Sequence, residues 1–196
     1  MRTKHFLYLG FIIPIVFWST TFICGSLLGD YNHLNRMVSE LGAVGTNTQI
    51  LFSIGLIACA VLSTVFIFAL YKTCKIFKMN IFPVLIIFSY SLSIAGAGIF
   101  PFPLRLHLIM GMPSILLLLS PLLGLFLWRR KLTKLNQMSI LSLLLMSLGF
   151  LSYFPNLLSD YIGLKQRFFH IGWSVWFSYL NYSFIKLQEK EKLSFD

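Results

Sequence analysis

Residues 50–70 read Ile-Leu-Phe-Ser-Ile-Gly-Leu-Ile-Ala-Cys-Ala-Val-Leu-Ser-Thr-Val-Phe-Ile-Phe-Ala-Leu, and no charged side chain interrupts them. A helix needs roughly 20 apolar residues to cross about 30 Å of hydrocarbon, and this run has that length. It shows neither the alternation nor the brevity of a barrel strand. Five further runs obey the same logic: Phe6–Leu28 before it, then Ile81–Phe100, Leu108–Trp128, Ser139–Ser159 and Phe169–Leu187 after it. The chain is 57% hydrophobic and 11% charged, a balance that a water-soluble domain of 196 residues would display as aggregating patches. The expected fold class is all-α: a polytopic membrane helical bundle with six transmembrane helices. The linkers leave no room for a separate soluble domain, so residues 1–196 are expected to form a single transmembrane domain.

Arg2 and Lys4 precede the first run, as in a signal peptide. That run is longer than a typical signal core and no small-x-small cleavage site follows, so a signal-anchor helix is expected. Cys24 and Cys59 fall within runs and Cys74 after the second, which gives no disulfide framework and no Cys-x-x-Cys metal pair. The net charge of +10 is unevenly placed. Arg2, Lys4, Lys72, Lys75, Lys78, Arg129, Arg130, Lys131, Lys134, Lys186, Lys190 and Lys192 fall on one side, against Arg36, Arg105, Lys165 and Arg167 on the other. The positive-inside rule makes the first side cytoplasmic, with both the N- and C-termini there, in a cell (plasma or inner) membrane. Topology and anionic lipid then account for the basic face, membrane lipids are the expected partners, and no nucleic-acid role is needed. The oligomeric state is open.

No Asp, Glu, Lys or Arg lies near the middle of a run, which argues against proton-coupled transporters, ion pumps and voltage sensors. Pro14, Pro113, Pro121 and Pro155 lie within runs and are expected to kink them, with neighbouring helices satisfying the freed carbonyls. Ser93, Ala95, Gly96, Ala97 and Gly98 form a small-residue stripe suited to close helix approach. Polar residues gather instead in the outer loops: Asp30, His33, Arg36, Ser39 and Glu40 in the first, Arg105 and His107 in the second, and Asp160, Lys165, Gln166, Arg167 and His170 in the third. In the first loop Leu34, Met37, Val38 and Leu41 recur at helical spacing, Asp30 or Asn32 can cap a start, and Gly42 can end it. A short interfacial helix over about Asn32–Leu41 is expected, with Leu34, Met37 and Leu41 facing the bundle or lipid. The second loop, Phe100-Pro101-Phe102-Pro103, reads as a rigid turn.

The segment Asp30-Tyr31-Asn32-His33-Leu34-Asn35-Arg36-Met37-Val38-Ser39-Glu40-Leu41-Gly42 resembles the signature of a prokaryotic membrane family known as domain of unknown function 998. Phe100-Pro101, His107 and Gln166-Arg167 match the family's later elements in order, so the resemblance covers essentially the whole chain. The turn after the third run is shorter than in many members and lacks their acidic residue. A remoter similarity is to the damage-regulated autophagy modulator group, which implies a lipid-linked or membrane-organising role. The resemblance implies a topology and a site location and no reaction.

Arg36, Ser39, Glu40, Arg105, His107, Gln166, Arg167 and His170 are the candidate ligand-binding residues, expected to converge on one outward-facing pocket. Arginines grip phosphate in bidentate fashion, so a lipid or other anionic amphiphile is the first reading. The alternative is a membrane-embedded hydrolase using a His/carboxylate site, metal-free or zinc-dependent. His33, His107, His170 and Asp30 are its alternative metal ligands, although no metal is favoured. Bis-histidine haem ligation by His107 and His170 is a further alternative, and the cofactor question stays open.

Overall fold

The structure is a computed structural model that describes residues 4–132, 134–154 and 156–192. Among these residues six long helices follow in order: α1 (Lys4–Leu28), α2 (Gln49–Ile76), α3 (Phe82–Ile99), α4 (Arg105–Leu127), α5 (Leu135–Ser152) and α6 (Ile162–Lys192). Each packs against the next, and α6 returns to pack on α1, closing the bundle. Five of them, α1 to α5, are long and apolar enough to cross a membrane. The protein is thus an all-α, multi-pass membrane bundle. The count of six apolar spans needs correcting, because α6 misses the apolar measure although it is 31 residues long.

The reason is where α6 sits. Trp173, Trp176, Phe177, Leu180, Asn181 and Phe184 on α6 are all fully buried. A helix wrapped by its neighbours has little lipid-facing surface, so Asn, Ser, Tyr and Trp replace the aliphatic coat that α2 wears. The indole of Trp176 donates to Ser120 Oγ of α4 (2.9 Å), which donates to Pro83 O of α3 (2.7 Å). Trp18 of α1 donates to Ser174 Oγ of α6 (3.1 Å).

Within lipid, apolar side chains gain little by leaving one hydrocarbon for another, so close packing and interhelical hydrogen bonds hold such a bundle. A Cβ built on Gly10 of α1 would lie 2.7 Å from Phe177 O of α6, and one on Gly172 of α6 would lie 2.6 Å from Met146 N of α5. In the stripe of small residues on α3, a Cβ on Gly98 would lie 3.1 Å from Ser53 O of α2.

The helix bounds differ from the apolar runs in instructive places. Cys74 is buried inside α2, which extends to Ile76 rather than ending at Leu70. The α-helical part of α5 spans Leu135–Gly149 and gives way to a 3-10 turn at Phe150–Tyr153, short of the expected Ser159. Pro113 opens a 3-10 segment, Met112–Leu118, inside α4. The carbonyl of Gly111 accepts from Ser114 Oγ (2.7 Å) and from Ser93 Oγ of α3 (2.8 Å). A neighbouring helix therefore adds a donor within the turn that precedes the proline. Pro14 lies inside the first helix, whose α-pattern breaks at Tyr8, and Pro155 lies outside the described residues.

Gly172→Ala should push α5 and α6 apart, because the new methyl meets the Met146 main chain rather than a movable side-chain tip. The expected loss is about 1–3 kcal/mol, seen as a lower melting temperature in detergent. Gly111→Ala, where no atom lies within 4 Å of the new Cβ, is the control and should leave the melting temperature unchanged or slightly raised.

Candidate functional site

Loop one, between α1 and α2, is where the expected helix gives way to something else. Asn32 Oδ1 accepts from Leu34 N (2.8 Å), and a single turn closes with Arg36 N donating to Asn32 O (2.9 Å). Met37 is then extended, and Val38–Gly42 form a 3-10 turn. Leu34 is exposed rather than packed, Met37 is half-buried, and Val38 and Leu41 are buried. The cause is competition for the main chain. An α-helix through this segment would need the carbonyls of Arg36 and Met37 as acceptors for Glu40 and Leu41. The Tyr31 hydroxyl lies 3.1 Å from the first and 2.7 Å from the second, and an arginine from α6 takes the first as well.

That arginine is Arg167, 6% exposed. Its Nη1 donates to Arg36 O and Gly163 O, each at 3.0 Å. Its Nη2 donates to Tyr31 Oη (2.9 Å) and to His33 Nδ1 (3.0 Å). A guanidinium only donates, so His33 Nδ1 must accept, and the neutral ring carries its proton on Nε2. Gln166 next to it accepts from Val38 N through Oε1 (2.6 Å), and Leu164 N donates to Leu34 O (2.9 Å). The last of these satisfies a first-turn N–H of α6 that has no partner within its own helix. Gly163 permits the approach: a Cβ there would lie 2.7 Å from His33 O and 2.8 Å from Arg167 Nη1.

Glu40 turns the other way. One carboxylate oxygen accepts from Arg36 Nε (2.9 Å) and the other from Met37 N (2.8 Å), while Asp30 lies 3.7 Å from Arg36. The acids of loop one thus face Arg36, and the Arg167 fork is held by neutral acceptors. Burial pushes the Tyr31 phenol above its usual range, and the nearby Arg167 offsets this in part. Burial first, and the charge of Arg167 second, push His33 below its ordinary value. On the other flank Val44 N donates to Phe102 O (2.8 Å), tying loop one to the turn after α3.

Beneath this loop lies a cavity of about 360 Å³, bounded mainly by α3, α4, α5 and α6, with Phe17 of α1 and Phe52 and Leu56 of α2 also on its wall, and roofed by Met37, Val38 and Ser39. Its wall is largely apolar, with Ser39, Tyr90, His107, Gln166 and His170 among its polar groups and no charged side chain. His107 Nδ1 lies 2.8 Å from Phe100 O, so it carries the proton and leaves Nε2 as an acceptor. Trp173 Nε1 donates to His170 Nδ1 (3.1 Å), which leaves the His170 proton on Nε2. That nitrogen and the Tyr90 hydroxyl are both buried without a protein partner.

Of the eight candidate ligand-binding residues, the fold places Ser39, His107, Gln166 and His170 on this cavity. Arg36, Glu40 and Arg167 belong to the network above it, and Arg105 is exposed on the first turn of α4. A single pocket holding Glu40, the arginines and the histidines together does not form, because main-chain carbonyls and Tyr31 draw Arg167 away. Among the described residues no three His, Cys, Asp or Glu side chains are grouped to hold a metal, and His33, His107, His170 and Asp30 are not brought together. Tyr90 gave no signal in the sequence, being one hydroxyl inside an apolar run. Lys165 is fully buried, its ammonium donating to Leu157 O (2.7 Å) and Phe154 O (3.1 Å), and its sequence position among polar loop residues concealed this.

Fold and site together define a class: multi-pass helical membrane proteins whose first loop is clamped by the last helix over an apolar cavity. Residues 11–181 match the family described as protein of unknown function (DUF998), and the chain belongs to it. No curated protein and no solved structure matches the chain, and no comparison extends the kinship to the damage-regulated autophagy modulator group.

The neutral state of His33 makes the clamp acid-sensitive. Its folded pKa lies below the unfolded value, so the unfolded chain takes the proton first. The stability it contributes is complete above about pH 6.5 and is lost as pH falls below that. His33→Asn keeps an acceptor, Oδ1, where Nδ1 sits and cannot titrate. Its melting temperature should fall less than that of the wild type between about pH 7.5 and 5.5. Equal slopes for the two proteins would remove His33 from the clamp.

Proposed function

We propose that the protein binds a membrane amphiphile, with the apolar chain in the cavity between α3, α4, α5 and α6 and the polar head under the roof of loop one. The observation that carries this is the cavity itself. It lies near the lower end of the roughly 300–1,000 Å³ typical of small-molecule sites, and it pairs apolar walls with a few polar groups. Leu108 and Met112 line it and are each 61% exposed. The α4 wall is therefore thin and faces lipid, which suits lateral entry of a chain. Ser39, His107, Gln166 and His170 are the head-group contacts in this reading. No observation favours the hydrolase, since the Glu40 carboxylate is held by Arg36 and Met37 N.

In this reading α6 is the sixth span. Lys4 at the start of α1 pairs with Glu189 near the end of α6 at 2.8 Å, while Arg167 near the start of α6 binds the loop that follows α1. A helix that lies antiparallel to α1 along its length crosses whatever α1 crosses. Both termini then share one side, and the excess of basic residues places that side in the cytoplasm and the roofed cavity outside. Reporter fusions after Asn80 and after Lys190 should both read cytoplasmic, and a periplasmic signal at either would reverse or break this topology.

The binding reading has its own test. A dodecyl chain with a terminal diazirine, irradiated with the protein in nanodiscs, should label Met112 and Phe169. Ala97→Phe fills the cavity and should cut that labelling by about tenfold, the equivalent of about 1.4 kcal/mol, with labelling of outward-facing α2 unaltered. Equal labelling of both proteins at the cavity would sink the proposal.

A further inference from the structure

The polar groups on the cavity can be sorted by what they have left to offer. His107 Nε2 is an acceptor, because Phe100 O engages the proton on Nδ1. His170 Nε2 is a donor, because the Trp173 indole engages Nδ1. Gln166 Oε1 is taken by Val38 N, so its remaining group is the NH2, again a donor. The Tyr90 hydroxyl can act either way. Tyr90 is 3% exposed, its ring seated on Trp173 (4.7 Å) and Phe177 (5.0 Å), and its oxygen is buried with no protein partner.

Charge sorts the ligand further. No Lys, Arg, Asp or Glu lines the cavity. The nearest arginines on the loop-one side are held away from the cavity, Arg36 by Glu40 and Asp30, and the two Nη atoms of Arg167 by Tyr31, His33 and two carbonyls. A phosphate entering here would lose its water and meet no counter-charge, which a buried ion does not tolerate. A methyl ether or ester would satisfy the donors and leave His107 Nε2 without a proton to accept.

We infer that the cavity selects an uncharged head group that both donates and accepts a hydrogen bond, a hydroxyl carried on a long apolar chain. This rests on the amphiphile-binding reading and specifies its head group as a neutral alcohol, in place of the anion expected from the sequence. The hydroxyl proton goes to His107 Nε2, and its oxygen accepts from His170 Nε2–H and from Tyr90. The same chemistry is offered by a free long-chain alcohol and by the open hydroxyl of a glycerolipid.

The test is competition against the dodecyl diazirine probe in nanodiscs, with the chain held constant. Dodecanol and monolauroylglycerol should each compete about tenfold better than dodecyl methyl ether or dodecyl phosphate, the size of one hydrogen bond gained or one desolvated charge avoided. Whichever of the first two is stronger identifies a free alcohol or a glycerolipid as the source. Tyr90→Phe keeps the ring contacts and removes an unpartnered hydroxyl. It should melt no lower than the wild type while weakening competition by dodecanol and by the methyl ether alike, since the preference between them rests on His107 Nε2; unchanged competition by both would remove Tyr90 from the site. Dodecyl phosphate competing best, or all heads competing alike, overturns the inference and leaves the cavity reading standing. Failure of the diazirine probe to label the cavity at all overturns both.

Discussion

Arg167 holds the outer architecture together. A guanidinium buried on the second turn of α6 presents a planar fork of donors, and loop one is shaped to receive its two Nη atoms. Arg36 O, Tyr31 Oη and His33 Nδ1 all turn toward it, and that geometry is incompatible with the α-helix that the apolar spacing of loop one favours. A lysine in its place would bring one charge and no fork. With the loop pinned, Val38 N reaches Gln166, Met37 and Ser39 come to lie over the cavity, and the mouth of the site acquires its polar groups. Roof, register of the 3-10 turn and orientation of His33 thus follow from a single side chain.

Much of the fold was legible because the membrane imposes one length and one polarity on each crossing. Residues 50–70 announce α2 without ambiguity. The last helix is less plainly written, since Asn181, Ser183, Tyr179 and the tryptophans make α6 polar where its neighbours shield it from lipid. Loop one confines its helix to Val38–Gly42 for a related reason. The period of Leu34, Met37, Val38 and Leu41 is a local signal, and it lost to Tyr31 and Arg167, which lie far apart in sequence and meet only in the folded bundle. The polar lining of the cavity was half legible. Ser39, His107, Gln166 and His170 stood out as polar residues at helix ends, and they do line the cavity. The arginines and Glu40 stood out equally, yet they serve the roof. Nothing local tells a polar residue facing inward from one facing a carbonyl. Tyr90 and Trp173, which set the hydrogen-bonding character of the cavity, hide within apolar runs.

Charge and cavity are kept apart by the same design. Lys165 and Arg167 are buried near the positive end of the α6 dipole, an unfavourable place for cations. Carbonyls offset this: Phe154 O and Leu157 O for the ammonium, Arg36 O and Gly163 O for the guanidinium. Three of these carbonyls come from loops, where main-chain oxygens have no helical partner, and Gly163 O lies in the first turn of α6. Irregular backbone around the start of α6 is therefore a solvation shell for two charges.

The pairing of the last helix with the first has a consequence for how the protein is made. The chain enters the membrane from its N-terminus, so α1 to α5 are in place while α6 is still being synthesised. Until then Trp18 lacks Ser174, Gly10 lacks its neighbour, and loop one has no arginine to fold around. Contacts between such distant parts of a chain form late and slowly. The cavity roof is consequently the final part to assemble, and a chain truncated before residue 162 would insert its helices and leave the cavity without its α6 wall or a pinned roof.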